Sequence, residues 1–586
     1  MHVIRSVSFK YAHMDRNSIR IPDRLDIRLT EVESQLCILL DECTRHLAEN
    51  GVHTSCRIAG GWVRDKLLGS ECHDVDIALE NMTGHAFALK FTEFASKLKH
   101  LPVKSVAVVK GNPGQSKHLE TAKTTVLGLD LDFVNLRDEA YADDSRIPTN
   151  MTFGTPLQDA LRRDMTMNSL FYNVHTRSVE DHCNQGLDDL KHGIIRTPLP
   201  PKQTFLDDPL RVIRCVRFAS RFGFELVSEL QESARDSEIQ AALLQKVTRE
   251  RVGEELDKMM GGTILHTFHE HYSLGRNPLM SLGLLNDLSL FPLVFHMPPA
   301  VASTLSSQPS SPSLALAAAS ILQTFLRPDI ALFRHPPIHP LISSELSSST
   351  SVVPRLYMAC ALTPFRGITY VDEKGKLHPA VEAVIREGLK VGTKNHYLDG
   401  IPALFSASEL FKSPDIEDDK FKFPSERVAI GLLLRNNTVH NAHIGAHWTT
   451  SLLFSLIQEL VDYYDPSEDH FNVDNAARVI ETYNRFAERV DELGLQDDVD
   501  AKPILDGREI VQILSAPKPG QWTGKVLDEV IKWQLGHPGE TKGQCAEWLK
   551  KELAAGRVSI EDAVPSIHAK RQRGGPKQTK TKKTRT

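Results

Sequence analysis

The sequence predicts an α+β fold: an α/β unit near the N-terminus followed by a largely α-helical remainder. Between about residues 30 and 175, helical and strand-like patterns alternate around a Gly-Gly turn and an Asp-x-Asp run. Beyond about residue 185 the strand signals fade, and apolar residues recur at helical spacing. At ~100 to 200 residues per domain, a chain of 586 residues builds several cores.

The elements follow in order. The first twenty residues carry Arg5, Lys10, Arg16 and Arg20 against one acid, Asp15, interleaved with apolar residues and serines. They read either as a mitochondrial targeting segment or as a disordered basic arm, and Met14 offers a second start that yields a cytosolic form. A helix is predicted over 31–49, then the turn at Gly60-Gly61, a strand bearing Asp74 and Asp76, and a helix near 84–99. Strands near 103–109 and 124–136 follow, and the polar, Gly/Pro-punctuated stretch Lys110 to Lys123 between them reads as a mobile loop. Helical spacing marks 208–224, 238–260, 357–364, 449–463 and 474–494, interrupted by Ser/Pro-rich surface insertions at 303–312 and 343–351. His266, His269 and His271 fall in a helical stretch and read as surface or packing residues. Lys570 to Thr586 holds eight basic residues and no acidic one. Such a tail is disordered, serving as a nuclear address or an accessory RNA contact.

Composition excludes several classes. No run of about 18 apolar residues spans a bilayer, so a membrane-embedded protein is not expected. The formal net charge of -6 gives no global attraction to nucleic acid, which leaves polyanion binding to local basic faces. Eight cysteines without a Cys-x-x-Cys pair fit reduced thiols rather than a disulfide framework or a zinc site.

Chemistry concentrates at Gly60-Gly61-Trp62-Val63-Arg64-Asp65 and Asp74-Val75-Asp76-Ile77. Adjacent glycines let backbone amides approach phosphate oxygens, and Arg64 adds a positive fork. Strand residues two apart share a face, so Asp74 and Asp76 project together as metal ligands. Mg²⁺ compensates such a pair, and two ions roughly 3.5 to 4 Å apart clamp attacking and leaving oxygens in phosphoryl transfer. A third carboxylate comes from Asp130 or Asp132 in the alternating run Leu129 to Arg137, and spacing does not choose between them. Arg162-Arg163-Asp164-Met165-Thr166-Met167-Asn168 brings cations, an acid and an amide together. It suits phosphate and ribose contacts, or else forms a solvated helix end with an ordinary ion pair. Asp208 before Pro209 reads as a helix cap, or as one member of a pair with Arg211 on a shared helix face. Arg214, Arg217 and Arg221 continue that polar side, opposite Val212, Val216 and Ala219.

The ordered set GGWVRD, DVDIAL, LDFVNLR, RRDMTMNSL, DDPLRVIRCVRFASRFGF and ERVGEEL resembles that of the class II tRNA nucleotidyltransferases, the eukaryotic and eubacterial CCA-adding enzymes. These motifs cover about 55 to 260, and the Pro278 to Phe295, GREIV and HPGET segments are similar to fungal-type members. The resemblance implies a polymerase-β-like nucleotidyltransferase head at 31–180 after an N-terminal arm at 1–30. A neck with a nucleotide-selecting helix follows at 181–262, then a helical body at 263–425, a tRNA-binding helical tail at 426–569 and the basic tail at 570–586. It implies Asp74, Asp76 and Asp132 as catalytic carboxylates, and Gly60, Gly61 and Arg64 as triphosphate contacts. Arg163, Asp164 and Asn168 match its ribose-reading motif, and Asp208 with Arg211 its amino-acid template, continued by Arg214 and Arg217. Asp207 stands where most bacterial members have Glu, a change that keeps the charge. The implied partners are a tRNA lacking part or all of CCA, CTP and ATP, with Mg²⁺ as cofactor and a monomer as the acting species.

Hydrogen-bond logic supports the template. Cytosine and adenine each offer an amino donor beside a ring-nitrogen acceptor, which Asp208 and Arg211 complement. Uracil and guanine present the reverse pattern; buried unpaired groups cost ~1 to 3 kcal/mol each, so selectivity reaches ~10² or more. The order C, C, A is expected from a pocket that reshapes as the primer grows, with Lys110 to Lys123 as its lever. The rival readings are a template-independent poly(A) polymerase of the bacterial type, which shares the head and neck motifs, and a decayed head retained for RNA binding.

Overall fold

Backbone pairing gathers seven strands into one sheet, in the order Ser178–Glu180, Phe171–Asn173, Cys56–Ala59, Asp74–Leu79, Leu129–Asn135, Thr121–Val126, Ala107–Val109. The computed structural model describes residues 6–9, 19–72, 74–109, 121–141, 148–261, 277–346, 349–516 and 518–560. Asp74–Leu79 and Leu129–Asn135 run parallel, whereas the other neighbours in the sheet are antiparallel. Parallel neighbours need a crossover. The helix Gly84–Glu93 begins it, capped by the Thr83 side chain on the Ala86 amide.

That helix packs Phe87 and Phe91 against Phe133, with ring centroids 5.5 and 5.6 Å apart. Phe133 alternates with Asp132 along its strand, so the apolar packing occupies one face and leaves the carboxylates on the other. Gly84 sets the closeness of the contact: a Cβ there would stand 2.1 Å from the Phe133 carbonyl oxygen. The first helix, Glu31–Glu49, starts with a capping box between Thr30 and Glu33, and buried Glu33 also pairs with Lys66 at 2.7 Å.

Several expectations change. The strand read over 124–136 is a hairpin, because Leu127 and Gly128 both take positive φ and turn Thr121–Val126 back on Leu129–Asn135. Thr121 to Lys123 therefore belong to a strand rather than to a loop, while Lys110 to Glu120 lie outside the described residues. Of the strand read over 103–109 only Ala107–Val109 forms, with Val103 making a single bridge to Val126. The helical stretch read over 238–260 breaks at Val247, whose backbone is extended, into Ser237–Lys246 and Arg249–Met260. The histidines at 266, 269 and 271 and the basic tail also lie outside the described residues.

Two compact units emerge: residues 1–415 with 437–488, and residues 416–436 with 489–586. In the first, the sheet is followed by helices Pro201–Asp207, Leu210–Phe222 and Arg249–Met260, then by a helical part that includes Ser313–Leu326, Val352–Ala361, Tyr397–Leu410 and Trp448–Val461. The 303–312 insertion is exposed as expected, yet anchored: Ser306 exchanges two hydrogen bonds with Thr369. Ser6–Val7, within the segment read as an arm, pairs with His470–Asn472, and Phe9 is buried against Phe333, Tyr464 and Phe471. The second unit closes its own core around Ile510, Trp522, Val530, Trp533, Cys545 and Leu549. Among the described residues no helix is long and apolar enough to cross a membrane.

The packing of Gly84 carries a prediction. Gly84→Ala is expected to push the crossover helix off the strand that bears Asp132, lowering stability by about 2 kcal/mol, which denaturant unfolding measures.

Candidate active site

The parallel pairing aligns the carboxylates in register: Asp74 lies opposite Asp130, and Asp76 opposite Asp132. Asp74 and Asp76 alternate with buried Val75 and Ile77, so both project from the face left open by the crossover helix. Surrounding protein and the Asp132 carboxylate hold the Asp76 carboxyl above its ordinary range. Asp132 takes the Lys123 ammonium at 2.5 Å, and Asp130, two residues back on the same strand face, accepts from Thr125 at 2.8 Å. Among the described residues no group of three or more acidic, His or Cys side chains is gathered closely enough to hold a metal by itself. The donor set nevertheless fits a hard divalent cation. Its oxygens are carboxylates, Asp76 and Asp132 repel each other, and Lys123 already meets part of the demand for positive charge.

Gly60 closes the strand Cys56–Ala59 with φ of 70° and donates its amide to the Leu170 carbonyl at 3.0 Å. The positive φ favours glycine here, and a Cβ would stand 2.7 Å from an Arg163 guanidinium nitrogen. Gly61 opens the helix Gly61–Leu67. Arg64, on that helix, is buried: it bonds Asp65 at 2.8 Å and Asn168, and its guanidinium lies 4.9 and 5.1 Å from the Phe218 and Phe222 ring centroids. Arg163 donates to the Asn168 carbonyl at 3.1 Å and pairs with Asp159 at 2.9 Å.

Asp164 lies at the centre of this network. Asn168 donates to one of its oxygens at 3.0 Å, and Arg214 reaches the other at 2.6 and 2.8 Å. Burial alone would raise this carboxyl, but the Arg214 charge and these bonds hold it down to about 2. The solvated helix end offered by the sequence is thereby excluded: Asp164 is 8% exposed.

Arg214 belongs to the helix Leu210–Phe222, whose Val212, Val216 and Ala219 are fully buried, as the apolar spacing predicts. Arg217 lies beside it, paired with Glu255 at 2.5 Å and over the Phe218 ring at 4.0 Å. Asp208 does not lie on this helix; its backbone is extended, and Pro209 is the N-cap. The shared helix face predicted for Asp208 and Arg211 is corrected accordingly. The Asp208 carboxylate accepts the Leu210 amide at 3.2 Å and both ends of Arg251, at 2.8 and 3.3 Å. Arg211 is buried and donates to the carbonyls of Thr204 at 3.2 Å and Arg162 at 2.7 Å.

The residues overlooked in the sequence are the counter-charges. Asp159, 1% exposed, binds both Arg162 and Arg163 from one turn upstream, a spacing visible in the sequence. Glu255, 3% exposed, gathers Arg217, Arg214 at 3.7 Å and Lys258 at 3.4 Å. Arg251 and Glu255 stand four apart within ERVGEEL, a signal for one helix face though not for its partners.

In-register carboxylates beside a glycine turn and a basic neck define a nucleotidyltransferase, and a model of the Poly A polymerase head domain matches residues 56–196. The chain is 35% identical over 556 residues to the Candida glabrata protein named CCA tRNA nucleotidyltransferase, mitochondrial, covering 90% of this chain and 96% of that one. The protein of that name from Saccharomyces cerevisiae is 34% identical, with 90% and 94% covered. A solved CCA-adding enzyme in an apo form shares the fold at a TM-score of 0.54 and 18% identity, covering 90% of this chain and 97% of that chain. The chain belongs to the CCA tRNA nucleotidyltransferase family.

The Asp164 pair can be tested through pH. Because the folded carboxyl titrates near 2 rather than 3.8, its contribution is complete above pH ~4 and is lost as pH falls through 2. Asp164→Asn is expected to cost roughly 3 kcal/mol at neutral pH, with the difference from the parent shrinking as unfolding is measured from pH 4 down to 2.

Proposed function

We propose that this protein completes the 3′ end of tRNA with C, C and A, using CTP twice and ATP once without a nucleic-acid template and releasing pyrophosphate each time. The observation that carries the chemistry is the register of Asp76 with Asp132 on adjacent parallel strands, with Asp74 on the same face as Asp76. Full-length similarity to CCA tRNA nucleotidyltransferases supports the substrate.

In this reading Asp74, Asp76 and Asp132 hold Mg²⁺, which when bound neutralises phosphate charge and favours ionisation of the attacking hydroxyl. Gly60 and Gly61 offer backbone to the triphosphate, and Arg64 supplies positive charge behind them. Arg163, Asp164 and Asn168 meet the ribose side, with Arg214 and Arg217 extending the basic wall. Asp208 accepts from the base amino group and Arg211 donates to the ring nitrogen. Recognition by Arg211 requires a donor to turn from a carbonyl toward the base, an exchange of one hydrogen bond for another. The head at 31–180, neck at 181–262, body at 263–425 and tail at 426–569 divide this work. The helical C-terminal part holds tRNA by shape and phosphate contacts.

The relatives named mitochondrial, together with the basic first twenty residues, support a mitochondrial form, with Met14 as the start of a cytosolic one and the basic tail as a nuclear address. A reporter fused to the full chain is expected in mitochondria, and one fused to the form beginning at Met14 in the cytosol; equal distribution of the two would refute this.

The reaction is tested with tRNA ending before CCA, Mg²⁺ and single nucleotides. AMP addition that depends on prior CTP is expected; tailing with ATP alone would identify a poly(A) polymerase instead. Asp76→Asn is expected to lower incorporation by about 10³-fold or more, measured by gel extension. Asp208→Ala is expected to admit UTP, and unchanged discrimination would sink the template assignment.

A further inference from the structure

The helix Arg249–Met260 carries two opposite charges on one face, and each meets a different end of the basic neck. Glu255 neutralises Arg217 and Arg214, while Arg251, one turn earlier, grips the Asp208 carboxylate through both guanidinium ends. Asp208 precedes the helix Leu210–Phe222 in extended backbone, and its carboxylate also accepts the Leu210 amide. A carboxylate held by one amide rotates; one held bidentately is fixed in plane. Two oxygens offer about four acceptor sites, and these three donors leave room for a further amino group.

The position of Arg251 is itself determined by packing elsewhere. Gly253 lies so close to the chain at Leu389 that a Cβ would stand 2.2 Å from that carbonyl oxygen. Arg249 donates to the carbonyls of Leu293, at 3.0 Å, and of Gly388 and Val294. This helix is therefore anchored to the following helical part by its backbone approach and by three carbonyls, and it presents Arg251 from that fixed base.

We propose that Arg251 is a positioning residue for nucleotide selection, an inference that rests on the reading of Asp208 and Arg211 as the base-recognising pair. Its fork orients the Asp208 carboxylate so that one acceptor direction faces the base amino group. The helix Arg249–Met260 thereby ties base reading to the body of the protein.

The test uses the full chain, tRNA ending before CCA, and each of CTP, ATP, UTP and GTP in single-turnover extension. Arg251→Gln is expected to reduce discrimination of CTP over UTP by about tenfold or more, chiefly by raising the KM for CTP, with the thermal midpoint nearly unchanged. Arg251→Lys, which keeps the charge and one contact, is expected to restore part of that discrimination. If Arg251→Gln fails to fold, Arg251→Lys carries the test by itself, and an unchanged CTP to UTP ratio in it overturns the proposal. A parental ratio in folded Arg251→Gln, or a loss of activity that only follows a loss of folded protein, also overturns it. Asp208→Ala separates the two levels. If it relaxes selection while the Arg251 variants do not, this inference alone fails; if it leaves selection intact, the template reading fails.

Discussion

The ion pair between Asp164 and Arg214 is the contact on which the site depends. A buried carboxylate is stable only with full compensation, and here the charge comes from elsewhere in the chain, from Arg214 on the helix Leu210–Phe222, while nearby Asn168 supplies an amide. Asn168 in turn receives Arg64, which follows the glycine turn and lies against Phe218 and Phe222 of the same neck helix. One polar network thus joins the glycine turn at Gly60-Gly61 to the basic face of the helix Leu210–Phe222. Neither part can shift without leaving a charge buried and unpaired.

This arrangement separates the sheet carboxylates from the Asp208 and Arg211 contacts. The carboxylates stand on an open sheet face because the crossover helix takes the opposite face for Phe87, Phe91 and Phe133. Asp76 and Asp132 are brought together by backbone register, which serves any nucleotide equally. Under the proposed function base choice needs donors and acceptors held at fixed angles, a role assigned to Asp208 and Arg211. Arg211 is fastened to carbonyls of Thr204 and Arg162, and Asp208 to Arg251. Both side chains are thus already hydrogen-bonded within the protein, and under the proposed function base recognition is an exchange of hydrogen bonds with a modest net energy.

Much of the fold was legible because periodicity records burial. The helix Leu210–Phe222 shows its apolar side in Val212, Val216 and Ala219 and its basic side in Arg214, Arg217 and Arg221. The strand Asp74–Leu79 was legible for the same reason, in alternation. The hairpin at Leu127-Gly128 was not, because a leucine in the left-handed region breaks an otherwise continuous β-prone run without a polar turn residue. Nor was the break at Val247, where apolar spacing continues while the backbone extends. The short strands Phe171–Asn173 and Ser178–Glu180 escaped as well; three residues are too few to show a period.

The sequence by itself determined which residue types were available and in what local order: a glycine turn, paired aspartates two apart, a basic helix after Asp208. Only the tertiary structure decided which charges meet. Register placed Asp132 rather than Asp130 beside Asp76, Arg214 found Asp164 across fifty residues, and Glu255 and Arg251 took partners that no local spacing names. The physical reason is that alternation and helical period are properties of neighbouring residues, whereas the compensation of a buried charge is settled by whichever group the packed chain brings within reach.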